Sequence, residues 1–288
     1  MLVLEALDAY LLQLEADGRS PHTIGQARRH VRMLADWLAT SGRADEIGQL
    51  AHEDVARFLA SDTVRHTADG RPRKPSSANA LRSSLRAFFG FAHAAGYCAT
   101  NPGRLIRRAM CGPPRPKALT EDEQQRLLHA LAGAATEAER RDRALFTLLL
   151  RCGPRIGSTL AARVEDLDLG AGELILRREK GRRERVLYLP EPVVELLRAH
   201  VGDRTAGPLF GRLGTRQAAR RLAGWCERAG IRRVGPHALR HCFATRLYAR
   251  TGDLLLVKAA LGHASIASTT VYAEVGRERL REVVGSHP

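Results

Sequence analysis

Four residues near the end of the chain have side chains that could together take part in breaking a phosphodiester bond. His237 and Arg240 lie three residues apart on a predicted helix, His263 follows in a Leu-Gly-His sequence, and Tyr272 comes nine residues later. Breaking such a bond without a metal ion requires a nucleophile, cations around the non-bridging oxygens, and an acid for the leaving 5′-oxygen. A phenol could be the nucleophile, because a cationic pocket lowers its pKa from about 10.

Two basic residues further upstream fit the same chemistry. The run CGPRIGSTLAARVEDLDL contains Arg155, and the predicted hairpin REKGRRERVLYLP contains Lys180. A guanidinium can donate two hydrogen bonds to a phosphate and stays charged, which makes it a poor proton donor. A lysine can have its pKa lowered by a cationic site and can then protonate the departing oxygen. The chain has 46 basic residues, and its only lysines are Lys74, Lys117, Lys180 and Lys258.

This set of residues, in this order, closely resembles the C-terminal signature of the tyrosine recombinases, the phage-integrase and Xer family. The spacing carries the resemblance, because a His-x-x-Arg sequence alone would arise by chance in so arginine-rich a chain. The resemblance covers essentially the whole second part of the chain, and the first part resembles the family's helical DNA-binding domain more loosely. It implies a catalytic set that needs no metal and no cofactor: Arg155, Lys180, His237, Arg240, His263 and Tyr272.

The resemblance also implies a role for each of these side chains. Arg155 and Arg240 would hold the phosphate, and Tyr272 would attack it. Lys180 would protonate the leaving oxygen. His237 would accept or relay the tyrosine proton, and His263 would hydrogen-bond a phosphate oxygen.

One position departs from the family pattern. Ser158 stands three residues after Arg155, where the family usually has a carboxylate that supports the site. The departure leaves open whether activity is reduced or whether Glu165 or Asp166 compensates.

The resemblance implies a site-specific DNA recombinase that acts through a 3′-phosphotyrosyl intermediate, in DNA integration or in chromosome or plasmid dimer resolution. Its partners would be double-stranded DNA and further protomers, as a homotetramer or heterotetramer on two duplexes. The tail AEVGRERLREVVGSHP resembles the short Xer tail and could dock on a neighbouring protomer or fold back. Two alternatives remain: a catalytically weakened DNA-binding protein of the same fold, suggested by Ser158, and a type IB topoisomerase, against which the size and the tail speak.

The composition is compatible with this interpretation without selecting it. The 288 residues carry a formal charge of +15 and a pI near 10.6, which suits a polyanionic partner, although ribosomal, membrane-surface and heparin-binding proteins share this property. Disulfides and structural zinc are not expected, because the chain has five cysteines, an odd number, and they form no Cys-x-x-Cys pair. The amphipathic start is unlike a signal peptide, and no segment approaches the roughly 20 apolar residues of a membrane span, so a cytoplasmic protein is expected.

The periodicity predicts a mainly α-helical protein with a small β-hairpin, divided into two domains. Four helices are predicted over residues 1–105, and the second of them is capped by Ser20-Pro21. The resemblance implies that this part is a SAM-like DNA-binding domain. A basic linker rich in helix breakers spans 106–117. The remainder, 118–288, which the resemblance implies to be a mixed α/β catalytic domain, has predicted strands at 173–178 and 185–189 and seven predicted helices, the last near 277–284.

Overall fold

The computed structural model describes residues 1–110, 118–177 and 184–262. The chain divides into two compact units, Met1–Pro114 and Arg115–Pro288. The predictions for Lys180, for His263, for Tyr272 and for the last helix and tail lie outside the described residues.

The first unit contains the four predicted helices and a one-turn helix that was not predicted. Ser20 caps the second helix as expected, since its hydroxyl accepts a hydrogen bond of 3.2 Å from the Thr23 backbone N–H. A 3-10 turn lies at Ile47–Gln49. The α-helices are α1 (Val3–Ala16), α2 (Pro21–Thr40), α3 (His52–Ala60), α4 (Asp62–Arg65) and α5 (Pro75–Ala94).

A partly buried polar contact joins the two longest helices of this unit. The Nδ1 atom of His30 on α2 lies 2.8 Å from the Ser84 hydroxyl on α5. Burial, and then the charges of Arg29 and Arg73, lower the pKa of His30 from its ordinary value of 6.5 to about 4. His30 therefore stays neutral in the folded unit at neutral and mildly acidic pH.

The first unit is expected to lose stability in mild acid because of His30. Below pH 6.5 the unfolded chain gains a proton at His30 that the folded unit takes up only near pH 4. The free energy of unfolding is therefore at its full value above pH 6.5 and falls as the pH is lowered towards 4. The loss should approach about 3 kcal/mol. Hydrogen exchange of α2 and α5 peptides, corrected for intrinsic rates, measures it. His30→Gln should flatten this profile, and His22→Gln, at an exposed position of the same helix, should not. Equal pH dependence in wild type and His30→Gln would refute the assignment.

Seven described helices form most of the second unit. The predicted capping box at its start is present, with Thr120 accepting from the Glu123 N–H and Glu123 accepting from the Thr120 N–H. The apolar α7 packs against α6, α9, α10 and α11 and supplies much of the core. The helices are α6 (Glu121–Ala132), α7 (Glu137–Cys152), α8 (Ile156–Ala161), α9 (Glu191–Val201), α10 (Thr215–Arg228), α11 (Pro236–Thr251) and α12 (Leu254–Leu261).

A three-stranded antiparallel sheet completes the described part of this unit. Its order is β1 (Leu167–Asp168), β2 (Glu173–Leu176) and β3 (Arg185–Tyr188). The predicted hairpin is β2–β3, with Leu176 opposite Arg185. Neither β1, which follows a 3-10 turn at Val164–Asp166, nor the short α8 was predicted. The mainly helical class with a small sheet is thus confirmed. None of the described helices is long and apolar enough to cross a membrane.

A buried carboxylate ties α10 to α7. Asp142 is fully buried and accepts hydrogen bonds from Arg221 Nε, at 2.7 and 2.6 Å, and from the Trp225 indole N–H at 3.0 Å. Removing one member of a buried ion pair leaves the other charge uncompensated. Asp142 therefore fixes α10 against the core helix of the second unit.

Asp142→Asn is expected to destabilise the second unit by about 2–3 kcal/mol, below the full cost of a completely buried pair because Arg221 is partly exposed. Urea unfolding followed by Trp225 fluorescence measures the change. Asp122→Asn is the matched control, since Asp122 pairs with Arg126 at 2.7 Å on the surface, where such a pair contributes about 0.5 kcal/mol or less. Equal losses in the two variants would contradict the role of Asp142.

Candidate active site

Arg240 is a buried arginine that spans two segments of the second unit. Only 2% of its surface is exposed. Its Nη1 donates to the Gly153 carbonyl at 2.7 Å, and its Nη2 donates to the Leu261 carbonyl at 2.6 Å. Helix α11 therefore holds the guanidinium between the end of α7 and the end of α12.

Gly153 makes this arrangement possible. It ends α7 in the left-handed conformation, with φ of 66°, which favours glycine. A Cβ atom at this position would lie 2.3 Å from the Phe243 ring of α11. Only glycine lets α11 approach closely enough for Arg240 to reach the carbonyl.

Arg155 reaches the same end of α12 from another direction. It stands immediately before α8, and its Nη2 donates to the Gly262 carbonyl at 3.2 Å. Burial lowers the pKa of Arg155. Arg155 and Arg240 thus donate to adjacent carbonyls, those of Gly262 and Leu261. The carboxyl end of a helix carries unpaired carbonyls and partial negative charge, which favour guanidinium groups.

His237 lies one helical turn before Arg240 and is exposed. A second histidine, His241, lies one helical turn after His237. The rings of His237 and His241 meet edge to face, with their centroids 4.6 Å apart. Sequence reasoning did not select His241, although its spacing of four residues from His237 places both on one helix face.

A third arginine, Arg185 on β3, belongs to this cluster and was also missed. Burial and then the charge of Arg155 lower the pKa of Arg185. Its Nη1 lies 2.9 Å from the point where a Cβ on Gly262 would stand. Burial raises the pKa of the nearby Cys152 thiol to about 12, so this thiol stays neutral and does not offset the charge. The cluster is strongly cationic.

The position of the missing acid is occupied by a buried serine. Ser158 is 6% exposed within α8. Asp166 accepts from Arg177 Nε at 2.5 Å and from the Arg163 backbone N–H, while Glu165 binds the Arg163 side chain and the Gly207 N–H. Within the described ranges, neither carboxylate therefore takes the place of the missing acid beside Arg155.

The structure thus brings two of the six predicted site residues together and places a third beside them. Arg155 and Arg240 converge at the end of α12, and His237 lies on the same helix as Arg240. His263 is the residue after Gly262 in the sequence, and Lys180 falls between β2 and β3, but both lie outside the described residues, as does Tyr272. Among the residues described, no group of three or more His, Cys, Asp or Glu side chains could hold a metal ion.

A cleft of about 570 Å³ lies elsewhere in the second unit. Its walls include Arg140, Arg141, His200 and Arg204, and none of the cluster residues. The arginine cluster therefore does not line this cleft. The positive charge of the cluster suits an anionic group.

Comparison with known proteins identifies the family. The model of the phage integrase family matches residues 117–279, and the model of the phage integrase N-terminal SAM-like domain matches residues 7–96. The chain belongs to the phage integrase family. This confirms the resemblance seen in the sequence, the two-part fold and the reaction class, which is the breakage and rejoining of DNA strands.

Relatives within the phage integrase family match along nearly the whole chain. The tyrosine recombinase XerC of Chromobacterium violaceum is 31% identical, over 99% of this chain and 95% of the relative. The tyrosine recombinase XerD of Mycobacterium tuberculosis H37Rv is 32% identical, over 98% and 97%.

Solved structures of the family share the fold. XerH recombinase in a post-cleavage complex with palindromic difH has a TM-score of 0.72 and 21% identity, over 96% of this chain and 84% of that one. A lambda integrase tetramer on a Holliday junction has a TM-score of 0.69 and 20% identity, over 92% and 78%.

Proposed function

We propose that this chain is a site-specific DNA recombinase whose active site is built around the end of α12 and uses Tyr272 as its nucleophile. The observation that carries the proposal is the convergence of Arg155 and Arg240 on the adjacent carbonyls of Leu261 and Gly262. Two fixed guanidinium groups at one place provide the planar donors that a phosphodiester needs.

The strand cut follows from these side chains. The Tyr272 oxygen attacks phosphorus and gives its proton to His237, while Arg155 and Arg240 stabilise the charge that develops on the non-bridging oxygens. The bond to the 5′-oxygen breaks, and Lys180 supplies the proton that makes the leaving group a 5′-hydroxyl.

Rejoining uses the same groups in reverse. A 5′-hydroxyl from a partner duplex gives its proton to Lys180 and attacks phosphorus, so that the 3′-phosphotyrosyl bond, which has conserved the energy of the cut, breaks. The Tyr272 oxygen leaves and takes back the proton that His237 holds. His263 hydrogen-bonds a phosphate oxygen in both directions. No nucleotide is consumed.

The partners are proposed from the relatives. Among the structural neighbours are a recombinase on difH DNA and a lambda integrase tetramer on a Holliday junction. We infer that this chain binds double-stranded DNA and acts as a homotetramer or heterotetramer on two duplexes, in integration or in dimer resolution, in the cytoplasm. Residues 1–105 would form the DNA-binding domain, 106–117 the linker and 118–288 the catalytic domain.

The test is covalent trapping on a nicked duplex that loses its 5′-hydroxyl fragment after the cut. The target is first selected from random genomic fragments by retention on the protein in denaturant. On a denaturing gel with EDTA present, we expect protein joined to the strand that ends in a 3′-phosphate, and a free 5′-hydroxyl on the released fragment.

The other outcomes select the alternatives. Tight binding of a selected duplex without any adduct would favour the non-catalytic DNA-binding protein. Relaxation of supercoiled plasmids that lack the selected site, with the same strand resealed, would favour a type IB topoisomerase.

A further inference from the structure

Arg185 presents two buried nitrogens that have no hydrogen-bond partner. Both Nη1 and Nη2 are inaccessible to solvent, and neither donates a hydrogen bond to an acceptor in the described part of the chain. The side chains of β3 alternate, so Arg185 shares the inner face of the strand with the buried Leu187, while Val186 and Tyr188 are exposed. An arginine therefore occupies a core-facing position.

Such an arrangement is costly in the free protein. A buried donor without a partner loses its hydration and gains nothing, and the loss is greatest for a charged group. Arg155 adds a second positive charge next to Arg185. Within the described ranges no carboxylate forms an ion pair with the Arg185 guanidinium. The neighbouring Glu184 pairs with Arg177 instead. The free protein thus holds a charge that an anionic ligand would neutralise.

The position of Arg185 indicates which anion this is. Its Nη1 adjoins Gly262, whose carbonyl accepts the hydrogen bond from Arg155, and Arg240 binds the preceding carbonyl. A phosphate that Arg155 and Arg240 hold at the end of α12 would therefore lie beside the Arg185 guanidinium. Two more N–H donors would then face its oxygens.

We propose that Arg185 is a third arginine of the phosphate-binding site and donates hydrogen bonds to the non-bridging oxygens of the phosphate that is cut. The inference rests on the proposed function, because it assigns Arg185 to that same site. Arg185 then lowers the folding stability of the free protein and stabilises the transition state, in which phosphorus is pentacoordinate.

Arg185→Met tests the proposal, because methionine keeps the length and removes the charge. Arg198→Met is the matched control, since Arg198 is an exposed arginine on α9 of the same unit. We expect Arg185→Met to raise the melting temperature of the free chain. Inorganic phosphate, compared with chloride at equal ionic strength, should raise the melting temperature of wild type and of Arg198→Met, and Arg185→Met should lose this protection.

The cleavage rate supplies the second measurement. In single turnover on the selected nicked duplex, Arg185→Met should be slower than wild type by about 10²-fold, as for other donors to a developing oxyanion. On the same duplex with a methylphosphonate at the cut, which removes the charge of one non-bridging oxygen, the defect should shrink to about threefold or less, because the two changes remove the same interaction.

Each other result has a defined meaning. An Arg185→Met variant that is less stable, cleaves normally and keeps phosphate protection would overturn the proposal in favour of a structural arginine. An equal rate defect on both duplexes would overturn direct contact with the phosphate. If wild type forms no adduct, the proposed recombinase function fails, and phosphate protection still decides whether Arg185 binds an anion.

Discussion

The Tyr272→Phe variant should bind the selected duplex as wild type does and form no covalent adduct with it. The substitution removes only the phenolic oxygen, which in the proposed reaction is the atom that bonds to phosphorus. Removing an attacking nucleophile costs more than removing any single stabilising contact, because no neighbouring group replaces the lost bond. We expect adduct formation to fall by at least about 10⁴-fold, with the dissociation constant changed by about twofold or less. Denaturing gels measure the adduct, and fluorescence anisotropy measures binding.

Tyr248→Phe is the matched control for this experiment. Tyr248 lies on α11 and packs against the small cluster around Val257 and Leu261, so it is a tyrosine of the same unit with a structural role. Its variant should cleave at close to the wild-type rate. An adduct that survives in Tyr272→Phe and disappears in Tyr248→Phe would reassign the nucleophile.

Local spacing in the sequence predicted the secondary structure that carries the candidate site. A separation of three residues places His237 and Arg240 on one face of a helix wherever that helix packs. The hairpin strands were predicted because β-type residues and a central Lys-Gly sequence are local signals. The bounds of α12 were also predicted correctly, since Gly262 in the left-handed conformation ends it.

The parts that depend on packing could not be predicted in this way. Asp142 lies in the run Glu-Arg-Arg-Asp-Arg, which reads as a solvated helix face, and it is buried only because α10 brings Arg221 and Trp225 over it. Arg185 faces inward because of the register of a four-residue strand, which is too short to show a period in the sequence. The elements β1 and α8 were missed for the same reason.

Arg240→Lys should reduce the rate of the cut far more than it weakens DNA binding. The guanidinium uses two separate nitrogens to reach the Gly153 and Leu261 carbonyls at 2.7 and 2.6 Å. A lysine has one nitrogen at the end of a flexible chain and cannot span both acceptors, so it retains the charge and loses the fixed orientation. A donor that is not held in place stabilises the transition state poorly, and we expect single-turnover cleavage to fall by about 10²–10³-fold.

The same substitution should also cost stability, and the two effects can be separated. Leaving one buried carbonyl without its donor costs about 1–3 kcal/mol, which urea unfolding of the second unit would detect. Cleavage assayed well below the unfolding transition then reports chemistry alone. Arg250→Lys, at an exposed position near the end of α11, is the control and should change neither quantity appreciably. If Arg240→Lys cleaved within about threefold of wild type, a positive charge would be sufficient at this position. The planar, doubly fixed guanidinium would then serve the packing of α11 between α7 and α12, and the phosphate would have to be oriented by Arg155 and Arg185.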